Sequence, residues 1–93
     1  MKKLSKEDIE KELDLLKGWS YKGEFISKTF TFNDFIDAFG FLGKVALISE
    51  KLNHHPDWSG VYNKVVLRLS THDAGGVTKK DIEFARMTED HVS

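Results

Sequence analysis

Between Phe35 and Leu52 the sequence carries a long apolar stretch that reads as a helix, and it leaves the rest of the chain few ways to fold. Asp37, Lys44 and Lys51 recur every seven residues and form one thin polar stripe. Phe35, Ile36, Phe39, Leu42, Val45, Ala46, Leu47 and Ile48 spread over most of the remaining circumference. A helix this apolar must be buried on more than one side. A chain of 93 residues supplies one domain with one core, spanning residues 1–93, and a small domain seldom encloses a helix. The expectation is that the sheet covers one side and a second subunit the other, with Gly40 and Gly43 permitting close approach. Asp37, Lys44, Glu50 and Lys51 interrupt the stretch too often for a membrane span.

The totals narrow the function classes. Hydrophobic residues make up 40% and charged residues 31%, which is a globular rather than a disordered composition. A net charge of −1 gives no general electrostatic reason to bind nucleic acid or an anionic membrane. With no cysteine, disulfides, thiolate metal sites and a cysteine nucleophile are excluded. Met1 to Ser5 leads into acidic residues rather than an apolar run, so no secretion signal is read there and a cytoplasmic protein is the default expectation.

Around the central helix the other elements follow from local chemistry. Ser5 reads as an N-cap, with Leu4 and Ile9 as a hydrophobic staple; Ile9, Leu13 and Leu16 form one apolar stripe, and Gly18 stops that helix. From Trp19 to Phe32 the pattern is a β-hairpin turning at Gly23, its second strand roughly 25–31. Ile26, Phe30 and Phe32 share the core-facing parity, with Lys28 as the exception. Asn33 is the expected cap of the central helix and Asn53 its end. Residues 58–61 make a short strand, residues 62–64 a turn, and Val65, Leu67, Leu69 and Thr71 alternate against Val66, Arg68, Ser70 and His72. After a loop at residues 73–76, Thr78 to Asp81 repeats the capping pattern, with Val77 and Ile82 as staple. The last helix turns Ile82 and Ala85 inward, with Phe84 and Met87, and frays from Thr88 to Ser93. The order α-β-β-α-β-β-α implies an α+β fold: a four-stranded antiparallel sheet with helices packed on one face.

Three of the four histidines fall beside breaks in this regular structure. His54 and His55 lie between the end of the central helix and Pro56, and His72 stands at the end of the last strand. Pro56 forces His55 out of the helical region. Adjacent histidines point in different directions on irregular backbone, so a shared site of His54, His55 and His72 and a looser, solvated arrangement both remain open. His91 in the charged tail reads as solvated. A metal centre is the weaker option, because the adjacent pair lacks the spacing that presents ligands together. Metal-free acid–base chemistry suits imidazoles, whose unperturbed pKa of about 6.5 lets one donate a proton while another accepts one. No nucleophile with its own base is recognisable. Trp19 and Trp58 offer flat apolar surfaces for a planar ring, although core packing is the commoner fate of such residues.

The segment Glu50-Lys51-Leu52-Asn53-His54-His55-Pro56-Asp57-Trp58, followed by Val61 to Val65, Ser70-Thr71-His72, Gly76-Val77-Thr78, Asp81 and Ala85, closely resembles the pterin-4a-carbinolamine dehydratases. The resemblance covers nearly the whole chain and shows no departure at the histidine positions. It implies the same sheet-and-helix fold, assembly as a dimer or tetramer through the central helix, and dehydration of 4a-hydroxytetrahydropterin to quinonoid dihydropterin in the recycling of a hydroxylase cofactor. It implies a pterin as the substrate, His54, His55 and His72 as catalytic or substrate-contacting residues, and no cofactor or metal. His54 and His72 are expected as the acid–base pair and His55 as the residue that positions the pterin. Glu50 then orients an imidazole, binds the amino-pyrimidine edge, or is a solvated helix-end carboxylate. Asp81 is a helix cap or a direct participant, and Trp19 and Trp58 line the cleft. The competing class is a binding module, in which the central helix serves as a dimerisation cofactor for a transcription factor.

Overall fold

The computed structural model describes residues 1–92, so that of the segment expected to fray, Thr88 to Ser93, only Ser93 lies outside them. Three helices, α1 (Lys6–Leu13), α2 (Phe35–Leu52) and α3 (Lys79–Asp90), alternate with four strands, β1 (Ser20–Tyr21), β2 (Ile26–Thr31), β3 (Asp57–Val61) and β4 (Lys64–Leu69). The order is α-β-β-α-β-β-α, as expected. The strands form one antiparallel sheet in the order β1-β2-β4-β3, so the two hairpins join through β2 and β4. Ile26 pairs with Leu69 and Phe30 with Val65 in that central contact.

One face of the sheet is apolar because side chains on a strand alternate. Ile26, Phe30, Val65, Leu67 and Leu69 are all buried there, against Ala38, Phe41, Val45 and Ile48 of α2 and Ile82, Phe84 and Ala85 of α3. Lys28 lies on the same parity without burying its charge. Its ammonium donates to Glu89 at 2.7 Å and to the Lys17 carbonyl at 3.0 Å, and lies 4.8 Å from the centre of the Phe30 ring.

Capping chemistry sets the helix ends, with three departures from the sequence reading. Asp34, not Asn33, caps α2, because the Asp34 carboxylate accepts from the Asp37 N–H at 2.8 Å. Helix α1 ends at Leu13 rather than running to Gly18, and Leu16 reaches the core from the turns that follow. Helix α3 continues to Asp90 instead of fraying at Thr88, because Thr88 is fully buried and its hydroxyl donates to the Phe84 carbonyl at 2.9 Å. Asn53 ends α2 in the left-handed conformation, at φ 50° and ψ 47°. Short polar side chains tolerate that region better than β-branched ones do.

Helix α2 is two-sided. Phe41 and Val45 point into the chain's own core, whereas Phe35, Ile36, Phe39 and Leu47 are exposed on the opposite side. A Cβ added at Gly40 or Gly43 would meet nothing within 4 Å. Among the described residues no helix is long and apolar enough to cross a membrane.

Replacing a buried leucine of the central strand leaves a cavity that close-packed neighbours refill only in part. Leu67→Ala should therefore cost about 2–5 kcal/mol in urea unfolding, while Leu15→Ala, at an exposed position, should stay within about 0.5 kcal/mol.

Candidate active site

The left-handed turn at Asn53 and the proline at residue 56 send two neighbouring histidines in opposite directions. His54 turns inward, with 11% of its side chain exposed, and His55 turns outward at 59%. Each ring has a carboxylate partner at Nε2. For His54 it is Oδ1 of Asp81 at 2.5 Å, and for His55 it is Oε2 of Glu50 at 2.7 Å. The two partners differ in burial: Asp81 is fully buried, whereas the Glu50 side chain is 77% exposed. Solvent screens the second pair, so the first is the stronger constraint on ring position.

Asp81 performs two structural tasks. As the third residue of α3 it completes a capping box: its Oδ2 accepts from the Thr78 N–H at 2.8 Å, and the Thr78 side chain caps the helix in return. The same oxygen accepts from the Thr71 hydroxyl at 2.9 Å. Thr71 follows the end of β4 and directly precedes His72, so one buried carboxylate ties the His54 turn, the end of β4 and the start of α3 together.

His72 begins a single 3₁₀ turn, His72–Ala74, that closes at Gly75 with φ +75°. Its exposed ring lines a cavity of about 240 Å³ with Phe25, His55, Asp57, Arg68 and Ser70. Beside it, an apolar groove of about 310 Å³ runs between α2 and the start of β3, lined by Leu42, Val45, Ser49, Glu50, Pro56 and Trp58 among others. His55 lines both and forms the ridge between them. Among the described residues, no three His, Asp or Glu side chains converge in an arrangement that would hold a metal ion.

The structure thus gathers His54, His55, His72, Glu50, Trp58 and Asp81 around the end of α2. Trp19 is the exception. It is 6% exposed, packs edge-on against Phe30, and its Nε1–H donates to Glu89 at 2.9 Å, so its ring is consumed by the core rather than offered to a cleft. Sequence reading left out Arg68, Ser70 and Asp57, although Arg68 and Ser70 share the His72 parity on β4, opposite the core. Asp57 pairs with Arg68 across the sheet, which brings its carboxylate to 3.4 Å from the guanidinium.

With that geometry in place, comparison with known proteins is specific. A family model described as pterin 4 alpha carbinolamine dehydratase matches residues 2–91. A relative from Sulfurisphaera tokodaii that carries the name pterin-4-alpha-carbinolamine dehydratase is 51% identical over 90 residues, covering 97% of each chain. A relative of the same name from Rhizobium johnstonii is 47% identical, covering 96% of this chain and 90% of its own. A crystal structure of a transcriptional coactivator/pterin dehydratase from Brucella melitensis superposes with a TM-score of 0.90 at 41% identity, covering 95% of this chain and 96% of that one.

The unequal burial of the two carboxylates leads to unequal mutational costs. Asp81→Ala leaves the Thr78 N–H and the Thr71 hydroxyl without their acceptor and should lower stability by about 2–4 kcal/mol in denaturant unfolding. Glu50→Ala should change it by no more than about 0.5 kcal/mol.

Proposed function

The chain belongs to the pterin 4 alpha carbinolamine dehydratase family, and from that membership we propose that it removes water from 4a-hydroxytetrahydropterins by metal-free histidine acid–base catalysis. The product is the quinonoid dihydropterin, and the reaction serves the recycling of a reduced pterin cofactor. Two events must be coupled: the 4a-hydroxyl gains a proton and leaves as water, and N5 loses its proton as the C4a=N5 bond forms. Two imidazoles in opposite protonation states accomplish both.

The observation that carries this reading is that His55 and His72 face one cavity beside the end of α2, while His54, adjacent to His55 in the chain, is held by the buried Asp81. His54 and His72 are the acid–base pair. His55, on the ridge between cavity and groove, positions the pterin, and Glu50 orients its ring. Trp58, more than half exposed at the groove, supplies an apolar surface for the planar ring system.

Self-association accompanies the chemistry. Phe35, Ile36, Phe39 and Leu47 form an exposed apolar side of α2, and Gly40 and Gly43 allow a second helix to approach it closely. A homodimer or homotetramer through α2 covers this face. A second reading, a protein-binding role through the same face, draws on the description of the Brucella melitensis protein as a coactivator.

Loss of a proton-transfer group should cost on the order of 10²–10⁴-fold in turnover, so His54→Ala and His72→Ala should each show that loss in a carbinolamine dehydration assay. Near-normal turnover in both variants would remove the acid–base assignment. Solution mass measurement should find an oligomer that Phe39→Glu dissociates without unfolding the chain. A monomer at every concentration would instead leave the face to a heterologous partner.

A further inference from the structure

We infer that Asp81, acting with Thr71 and Thr78, holds the proton of neutral His54 on Nε2 and so reserves Nδ1 as the nitrogen that exchanges a proton with the substrate. The place of the proton follows from the structure; its use on a pterin rests on the dehydratase reading above.

The hydrogens along one chain of contacts fix the place of that proton. The Lys80 N–H donates to Oγ1 of Thr78 at 3.2 Å, and Oγ1 of Thr78 lies 2.7 Å from Oγ1 of Thr71. The Thr71 hydroxyl donates to Oδ2 of Asp81 at 2.9 Å. A hydroxyl has a single hydrogen. Because Thr71 spends its hydrogen on Asp81, Thr78 must spend its own on Thr71, and every donor in the chain points toward the carboxylate. The Thr78 N–H adds a second donor to the same Oδ2 at 2.8 Å. Two donors thus occupy one oxygen of the carboxylate, which in its ionised form only accepts. The remaining oxygen, Oδ1, faces Nε2 of His54 at 2.5 Å. An ionised carboxylate has no hydrogen to give, so Nε2 carries the proton and donates it to Oδ1.

The second nitrogen of the ring is then unprotonated in the neutral state, and it has access to solvent. Among the described residues Nδ1 of His54 has no hydrogen-bond partner, and no buried side-chain nitrogen or oxygen lacks one, so Nδ1 is not a buried atom. Asp81 and Thr78 are both fully buried, which removes water as a competing donor or acceptor. The His55–Glu50 pair has the same Nε2 contact but both members are mostly exposed, so it imposes no comparable tautomer. Asp81, Thr71 and Thr78 are in this sense positioning residues. They act on the substrate through His54 and do not touch it.

The experiment is a ¹⁵N-edited NMR measurement of the His54 ring in the intact protein, paired with dehydration kinetics. The neutral ring should show a protonated Nε2 and a bare Nδ1; the opposite tautomer in an active enzyme overturns the inference while leaving the dehydratase reading intact. An enzyme with the expected tautomer and no dehydratase activity overturns the use of Nδ1 on a pterin and that reading together. Thr71→Val removes one donor while keeping the side chain's shape, and should lower kcat about tenfold or more with little change in KM, with the Nδ1–H form appearing in the spectrum. Thr71→Ser should restore both readouts; a loss in Thr71→Ser equal to that in Thr71→Val, with the tautomer unchanged in each, marks the hydroxyl as structural only and overturns its part. Asp81→Asn turns its amide toward Nε2 and should force the proton to Nδ1, with a kcat loss on the order of 10⁴-fold by analogy with the buried aspartate of serine-protease triads. Should Asp81→Asn fail to fold, the wild-type spectrum still decides.

Discussion

A single buried carboxylate holds the functional end of this molecule together. Burying an ion is costly unless donors replace the water it loses, and Asp81, fully buried, receives the Thr78 N–H, the Thr71 hydroxyl and the His54 ring. Those donors come from three places in the chain: the turn after α2, the exit of β4 and the start of α3. Each is an end of regular structure, where backbone groups need partners in any case. The same contact that starts α3 therefore aligns His54 and anchors the residue before His72. Stability and site geometry depend on one group.

Helix α2 shows the complementary constraint. Its inner side builds the core with Phe41, Val45 and Ile48, and its outer side carries Phe35, Ile36, Phe39 and Leu47 into solvent. The sheet has a single apolar face, already filled by α2 and α3, and so nothing among the described residues covers that outer side. The end of this helix also delivers Glu50 and, one turn later, His54. A helix packed firmly on the sheet makes a rigid base for a site that otherwise consists of turns.

Much of this architecture was legible because the signals are local. Alternation at Val65, Leu67 and Leu69 set the core face of β4, and Thr78 to Asp81 announced the start of α3 with its capping pattern. Pro56 after Asn53 located the end of α2. The failures were also local. Asn33 and Asp34 are both good caps, and which one closes the helix depends on where the Asp37 N–H comes to lie. Thr88 looked like the frayed end of a polar tail, whereas packing buried it beside Phe84. Trp19 looked as available to a cleft as Trp58 does, and its fate was settled by Glu89, which lies 70 residues away along the chain.

By itself the sequence determined the element order, the antiparallel sheet and the grouping of three histidines beside chain breaks, because periodicity, capping and proline act over a few residues. The family resemblance, carried by the histidine pair, proline and downstream Thr-His, was equally a property of the linear chain. Only the tertiary structure decided that His54 faces inward and His55 outward, that His55 and His72 share a cavity, and that Asp81 reaches His54 across 27 residues. Those outcomes depend on how three element ends meet in space. No local pattern encodes that meeting, because the sheet register and the packing of α2 against α3 bring the partners together.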